Sequence, residues 1–416
     1  MMSGPSPHVV ILGAGFAGMG VVKELRKTGV RVTMIDRNNF HTFQPLLYQV
    51  ATDVLSSSEV GFPVRQILHG HPDWAFHKAV VAGVDLARKQ VALEGMAPIG
   101  YDYLVIALGA VVNFFGTKGA AEHARPLYTM HDAVRLKAHI LGKFEEADRN
   151  PALIDDGVLT FCVVGGGATG VEVAGALAEL VRMEMKDDYP NVAVERTEVH
   201  LYERGPQLLG AFTPKLEAYA RSALEKRGVH VHTGEGVVEI EPTRVHLKSG
   251  GVVKAHTLVW GAGLQANPLV GSLGLELVKG RVPVNPDLRL ADHPEVFVIG
   301  DVAILTDGRT NRPLPQLGSV AKQAGTRAGQ NIARLVRGEP TESFTYRDKG
   351  TMGAIGRGAA VVEMPFGLTV TGYIAWWMWL GVHLVLLSGG EAKMLTFLDW
   401  LWSMRLRKRG KRIVVD

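Results

Sequence analysis

The pattern that most restricts what this chain can fold into is a turn of glycines that occurs twice, each time between an apolar strand and a helix. The first copy reads His8-Val9-Val10-Ile11-Leu12, then Gly13-Ala14-Gly15-Phe16-Ala17-Gly18, then an amphipathic run to Lys27 and a second apolar run from Val30 to Ile35 that ends on Asp36. Strand, G-x-G-x-x-G turn, helix, strand and terminal acid in that order specify a βαβ unit that binds a dinucleotide. Gly13 permits the tight turn, Gly15 lets backbone amides approach a pyrophosphate, and Gly18 lets the helix lie close to the strand. Asp36 is placed to accept hydrogen bonds from an adenosine ribose, and Phe16, Ala17 and Arg37 belong to the same binding stretch.

The second copy starts with the apolar run Thr160 to Val164, continues through Gly165-Gly166-Gly167-Ala168-Thr169-Gly170, and ends its second strand, Val199 to Tyr202, on Glu203. Its helix runs past Val181 before Tyr189-Pro190 breaks it. Two such units imply two nucleotides, with Gly165, Gly167, Thr169 and Gly170 serving the second; a flavin enzyme reduced by a nicotinamide dinucleotide needs that pair. The alternative is a duplicated fold with one site vacant. A carboxylate at Glu203 suits a free ribose 2′-hydroxyl and repels a 2′-phosphate, which favours NADH over NADPH, although Arg204 beside it works the other way.

The fold class that follows is α/β, with two doubly wound Rossmann-like domains. At 416 residues and 47% hydrophobic content the chain can bury a large core. Cys162 is the single cysteine, so an intrachain disulfide, a CxxC redox pair and a cysteine-ligated metal site are all excluded, and no metal is expected. Set in an apolar strand, Cys162 reads as an inert core residue. No basic n-region precedes the first strand, so no signal peptide is expected and a cytoplasmic setting fits.

Three further segments carry a resemblance. Tyr101-Asp102-Tyr103-Leu104-Val105-Ile106-Ala107-Leu108-Gly109-Ala110, Leu258-Val259-Trp260-Gly261-Ala262-Gly263, and Pro294-Glu295-Val296-Phe297-Val298-Ile299-Gly300-Asp301 resemble the crossing segments and the late FAD signature of two-dinucleotide-binding-domain flavoproteins. Within that family, His41 to Thr52 and Tyr346 to Arg357 are similar to stretches of type II NADH:quinone oxidoreductases. The resemblance implies FAD and NADH as cofactors and a quinone as electron acceptor, without proton pumping, in a homodimer. It places Gly109, Gly263 and Asp301 at the cofactors and Glu172 where NADH meets the flavin. For Glu172 the plain alternative is an acid complementing the dipole of its helix. A helix following Pro313-Leu314-Pro315, expected over Gln316 to Arg337, would aim amides at the flavin through Ser319, Val320 and Ala321. Gln323 and Gln44 are the candidates to hydrogen-bond the quinone; capping or solvated amides are the plain reading of both. One departure stands out, because Gly318-Ser319-Val320-Ala321-Lys322-Gln323 occupies the place of the family's Ala-Gln-x-Ala-x-Gln.

The C-terminal part reads as a membrane module. From Met364 to Gly390 no charged side chain occurs, but Pro365, Gly367, Gly372 and Gly381 interrupt the run and Trp376, Trp377 and Trp379 favour an interface. From Glu391 to Leu406 the residues Glu391, Thr396, Asp399 and Ser403 share one helical sector and apolar residues fill the rest. Arg405, Arg407, Lys408, Arg409, Lys411 and Arg412 follow. This predicts a helix lying in the surface of an anionic membrane, peripheral and monotopic on its cytoplasmic face; a helix pair in a core or dimer interface is the alternative. Nucleic acid is not an expected partner. The expected domains are 1–120 with 285–345 for FAD, 121–284 for NADH, and 346–416 for the membrane. The competing functions are a soluble NAD(P)H-dependent reductase of a protein partner such as a ferredoxin, and a flavin-based redox sensor.

Overall fold

The structure is a computed structural model that describes residues 6–307, 309–310, 312–405 and 412. In chain order, the elements that build the first part are β1 (His8–Leu12), α1 (Phe16–Leu25), β2 (Arg31–Asp36), α2 (Leu47–Ala51), β3 (Trp74–Lys78) and β4 (Tyr103–Ile106). There follow β5 (Arg125–Pro126), β6 (Thr160–Val164), α3 (Ala168–Leu180), β7 (Glu198–Glu203), β8 (Val229–Thr233) and β9 (Thr257–Trp260). The last are β10 (Val296–Val298), α4 (Gly318–Val336), β11 (Thr351–Gly356), β12 (Ala359–Glu363), β13 (Thr369–Thr371), α5 (Gly372–Leu386) and α6 (Gly390–Arg405). Two compact units result: one is Met1–His41, Phe62–Val111 and Leu264–Arg347, the other Thr42–Gly61, Val112–Gly263 and Asp348–Asp416.

In the first unit the sheet order is β10-β4-β1-β2-β3, with every pairing parallel. A parallel sheet is covered on both faces, so its strands are apolar throughout rather than alternating. All five residues of β1 are accordingly buried, with Val9 and Ile11 packing into one core and Val10 and Leu12 into the other. The first core lies under α1 and α4, which approach so closely that a Cβ on Gly325 would strike the backbone of Ala17. Because β1 has β2 on one side and β4 on the other, the carboxyl ends of these strands form a crevice where ligands bind in such folds.

The second unit repeats the design in the order β5-β9-β6-β7-β8, again all parallel, with β6 in the place of β1. Cys162 on β6 is fully buried, and burial pushes its thiol up to about 12, as suits an inert core residue. The helix after the glycine turn, α3, runs on into a π-helical turn over Val181–Met185 that buries Glu184. An antiparallel sheet of β11, β12 and β13 belongs to the same unit. There α3 packs so tightly on β11 that a Cβ on Gly175 would overlap the carbonyl of Ile355.

No helix among the described residues is long and apolar enough to cross a membrane. The orientation of α6 is informative. Thr396 in its predicted polar sector is fully buried and Asp399 half-buried, whereas Met394, Leu395, Phe397, Leu398, Leu401 and Trp402 are exposed. On α5, Tyr373, Ile374, Trp377 and Val385 are exposed as well. Within the polar sector, Thr396 and Asp399 thus turn inward while Glu391 is exposed, and these apolar residues face outward. Of the basic cluster, the side chain of Arg405 and all of Arg407, Lys408, Arg409 and Lys411 lie outside the described residues. Arg412 pairs with Glu184 at 2.6 Å and also with Asp188, so this one cation is engaged within the protein.

Candidate active site

The first glycine turn has the backbone geometry its spacing requires. Gly13 has φ +105°, and a Cβ there would collide with the carbonyl of Ala107; a Cβ on Gly18 would collide with the carbonyl of Gly13. A Cβ on Gly15 would meet nothing within 4 Å, so the turn opens outward at that point, where a ligand's pyrophosphate would approach. No side chain caps the helix that starts here, α1. Asp36 accepts the N–H of Ala14 at 2.8 Å and of Asn38 at 2.7 Å, so the acid at the strand end also braces the turn. Arg37 beside it is exposed. His41 adds a second brace: its Nδ1 donates to the carbonyl of Ala14 at 2.8 Å, and its ring meets Phe16 edge-on. Burial holds His41 below its ordinary value and therefore neutral.

Asp301 follows the end of β10 in the same unit, behind Gly300 with φ +74°. Part of it remains in reach of solvent, yet desolvation raises its carboxyl while Arg281 opposes the shift. Its carboxylate receives no hydrogen bond among the described residues, as suits an acid that holds a polar ligand. Nearby, α4 begins with Gly318 against the ring of Phe16 and with no side-chain cap, leaving a bare helix start. Val320 and Ala321 are buried there. Ser319 Oγ lies 3.0 Å from Tyr346 Oη. Gln323 donates to the carbonyl of Arg347 at 3.0 Å and accepts its N–H at 3.1 Å. Ser319 and Gln323 therefore tie the segment Tyr346–Arg347 to α4. Gly109, with φ +69°, accepts the N–H of Asn267 at 3.0 Å.

The second turn matches the first. Gly165 has φ +109° and sits against Ala262, a Cβ on Gly170 would overlap the carbonyl of Gly165, and a Cβ on Gly167 would meet nothing within 4 Å. Thr169 is exposed at the helix start. Glu203 accepts the N–H of Gly166 at 2.6 Å and of Gly205 at 2.5 Å. One difference explains a residue choice: a Cβ on Gly166 would fall 2.8 Å from the Glu203 side chain. Where the first copy combines Ala14 with the shorter Asp36, the second combines the longer Glu203 with a glycine. Gly263, with φ +70°, accepts the N–H of Asn113, and the guanidinium of Arg204 lies over the ring of Phe115 at 5.6 Å.

Glu172 lies in the first half of α3, and its Oε1 accepts the N–H of Ala354 on β11 at 3.2 Å. Solvent still reaches part of the residue, but enough protein surrounds the carboxyl that desolvation pushes it up to about 8. It is thus largely protonated at neutral pH. Nothing in the sequence revealed the network beside it. Gln49 on α2 donates to Tyr48 Oη at 3.0 Å and accepts the indole N–H of Trp400 on α6 at 2.9 Å. Tyr48, Gln49, Ala354, Trp376 and Trp400 line a cavity of about 50 Å³. The only hint was that Tyr48-Gln49 fell within the family-like stretch. Gln44 is half-buried at the start of a short 3-10 turn in the second unit, and Gln323 belongs to the first.

Residues 7–325 match the family described as pyridine nucleotide-disulphide oxidoreductase. Type II NADH:quinone oxidoreductase Ndh of Mycobacterium tuberculosis is 34% identical over 99% of this chain and 91% of its own length. The chain belongs to the type II NADH:quinone oxidoreductase family. A type II NADH:quinone oxidoreductase of Staphylococcus aureus NCTC 8325 is 31% identical over 88% of this chain and 91% of its own length. In fold, the chain matches NDH2 from Plasmodium falciparum in complex with NADH, with TM-score 0.91 and 19% identity, over 99% of this chain and 100% of that one. The α/β fold with two Rossmann-like sheets is the fold of this family, and its member here keeps both glycine turns and both strand-end acids.

Proposed function

We propose that the chain oxidises NADH through a bound FAD and passes the electrons to a quinone at a membrane surface, without pumping protons. The observation that carries this is the paired cradle: in a chain of this family, two glycine turns open outward at Gly15 and Gly167, and each is braced by the acid that ends the next strand. Gly13, Gly15, Phe16, Ala17, Gly18, Asp36, Arg37, Gly109 and Asp301, with Ser319, Val320 and Ala321 at the start of α4, would hold FAD. Gly165, Gly167, Thr169, Gly170, Glu203 and Gly263 would hold NADH. When bound, the flavin accepts a hydride and releases electrons singly or in pairs.

The chain's own groups prepare that chemistry. The uncapped start of α4 offers amides to a developing negative charge. The strand-end acids, already holding two amides each, present their remaining lone pairs in a fixed direction. Glu172 keeps a proton near neutrality, and because Oε1 accepts the Ala354 amide the proton sits on Oε2. Gln44 and Gln323 are the proposed quinone contacts, and Gln323 would exchange its hold on Arg347 to act as one. The outward apolar residues of α5 and α6 favour peripheral attachment to the cytoplasmic face of an anionic bilayer. A homodimer completes the proposal and is checked by light scattering in detergent.

The test is steady-state NADH oxidation by the purified chain with and without a short-chain quinone, on washed membranes and in the soluble fraction. Quinone-dependent turnover that follows the membranes supports the reading. Turnover only with an added ferredoxin, or none at all, favours the reductase or the sensor instead.

A further inference from the structure

The hydrogen-bond chain under α6 runs in one direction, which its own chemistry enforces. An indole can only donate, so the N–H of Trp400 at 2.9 Å fixes Oε1 as the atom of Gln49 that faces α6. The amide nitrogen is thereby turned to Tyr48 and donates to its Oη at 3.0 Å. With the amide reversed, the phenol would have to be the donor in that bond. As it stands, Tyr48 accepts from Gln49 and keeps its own proton for another acceptor. All three side chains are buried, so each bond holds its partner's orientation without competition from bulk water.

The chain ends at the cavity beside Glu172. Tyr48, Gln49 and Trp400 line it together with Ala354, whose N–H Glu172 accepts at 3.2 Å, and Ala176, one turn beyond Glu172 on α3. Trp376 of α5 lines it as well, and every one of these residues belongs to the second unit. At about 50 Å³ the cavity admits a few waters or the carbonyl edge of a ring, not a whole quinone. The two helices that contribute Trp376 and Trp400 also carry the exposed Ile374, Trp377, Leu398 and Trp402. An apolar acceptor that leaves a bilayer at these helices therefore has a neutral donor of fixed direction close by. A donor aimed in advance stabilises charge that develops on an acceptor oxygen.

We propose that Trp400 and Gln49 are positioning residues for Tyr48 in the quinone step: the indole fixes the amide, and the amide sets the phenol to donate to a quinone carbonyl. The proposal rests on the reading of a quinone as the electron acceptor. It gives α6 a role besides attachment, because the helix that exposes Leu398 and Trp402 also decides which way Tyr48 points its proton.

The experiment uses the full flavin-containing chain and a short-chain quinone. In Trp400→Phe and in Tyr48→Phe, kcat/KM for the quinone is expected to fall about three- to tenfold, the weight of one hydrogen bond. The two changes together are expected to cost no more than Tyr48→Phe alone, because Trp400 acts through Tyr48. Losses that multiply in the double variant, or a Trp400→Phe that handles the quinone like the unmodified chain, overturn the proposal. So does an equal loss in the reduction of the flavin by NADH, followed separately by rapid mixing, since that marks general damage. The tyrosine Fermi doublet in ultraviolet resonance Raman, isolated by subtracting the spectrum of Tyr48→Phe, is a second readout that needs no Trp400 variant. It is expected to show a phenol oxygen that accepts, and to move towards donation when the quinone is added to the oxidised chain; a doublet that the quinone leaves unmoved overturns the proposal. If the unmodified chain reduces no quinone, the proposed function fails and this proposal with it. If it does and Trp400→Phe matches it, this proposal alone fails.

Discussion

The carboxylate of Glu203 accepts the amide N–H of Gly166 at 2.6 Å, as that of Asp36 accepts the N–H of Ala14 at 2.8 Å. The strand-end acid therefore braces the glycine turn of the proposed cradle, in addition to its proposed role as ribose ligand. In Glu203→Gln one oxygen still serves Gly166, but the amide group loses the charge that repels a 2′-phosphate. The preference for NADH over NADPH, as a ratio of kcat/KM, is expected to fall by about 5- to 30-fold, from roughly 1–2 kcal/mol of like-charge repulsion. Steady-state kinetics with both nucleotides checks this.

Two glycines of the first turn should fail differently. Gly15→Val projects into open space, so the protein is expected to fold and to emerge without its yellow flavin absorbance. Gly18→Val drives a side chain into the carbonyl of Gly13, and is expected to lose the folded protein itself, at a cost of several kcal/mol. Circular dichroism with flavin absorbance separates the two outcomes.

Glu172 makes stability depend on pH. Its folded value of about 8 lies above the ordinary 4.5, so between these values the folded state binds more protons than the unfolded state. Stability contributed by this group therefore falls as pH climbs through that window and is level above it. Discounted for its partial exposure, removing the acid is worth about 1–2 kcal/mol at alkaline pH. Glu172→Gln is expected to raise Tm by roughly 2–8 °C at pH 9 and by less at pH 6, measured by flavin or tryptophan fluorescence.

Membrane attachment is best tested on the surface of α5 and α6. Truncation before α6 would also remove Trp400, which donates to Gln49, and the buried Thr396, so it disturbs the interior. Replacing the exposed Ile374, Val385, Leu398 and Trp402 by serine leaves that interior alone. At about 1.5–3 kcal/mol for each large apolar side chain, partial insertion of four predicts at least a hundredfold loss of binding to anionic vesicles, largely independent of salt. Co-sedimentation that is unchanged would contradict this.

How much of this was legible beforehand differs by residue. The parallel strands His8–Leu12 and Thr160–Val164 were plain, because unbroken apolar runs beside glycine turns leave few alternatives. The strand-end acids were legible as candidate ribose ligands, but not as braces, since the exchange of Ala14 with Asp36 for Gly166 with Glu203 shows only in three dimensions. Periodicity marked the polar sector of α6 without its direction: Thr396 turns inward and Leu398 outward. Gln323 was legible as an amide in a family-like motif, and its hold on Arg347 was not. Trp379 read as an interface tryptophan, yet it is buried at 1% exposure, stacked on His383.

The most direct measurement of the central claim is anaerobic rapid mixing of the purified chain with NADH, followed by a quinone in a second mix. The account predicts that NADH bleaches the flavin absorbance within the turnover time and that the quinone restores it without any added protein. A flavin that NADH leaves oxidised, or one that NADH reduces but a quinone fails to reoxidise, would contradict it.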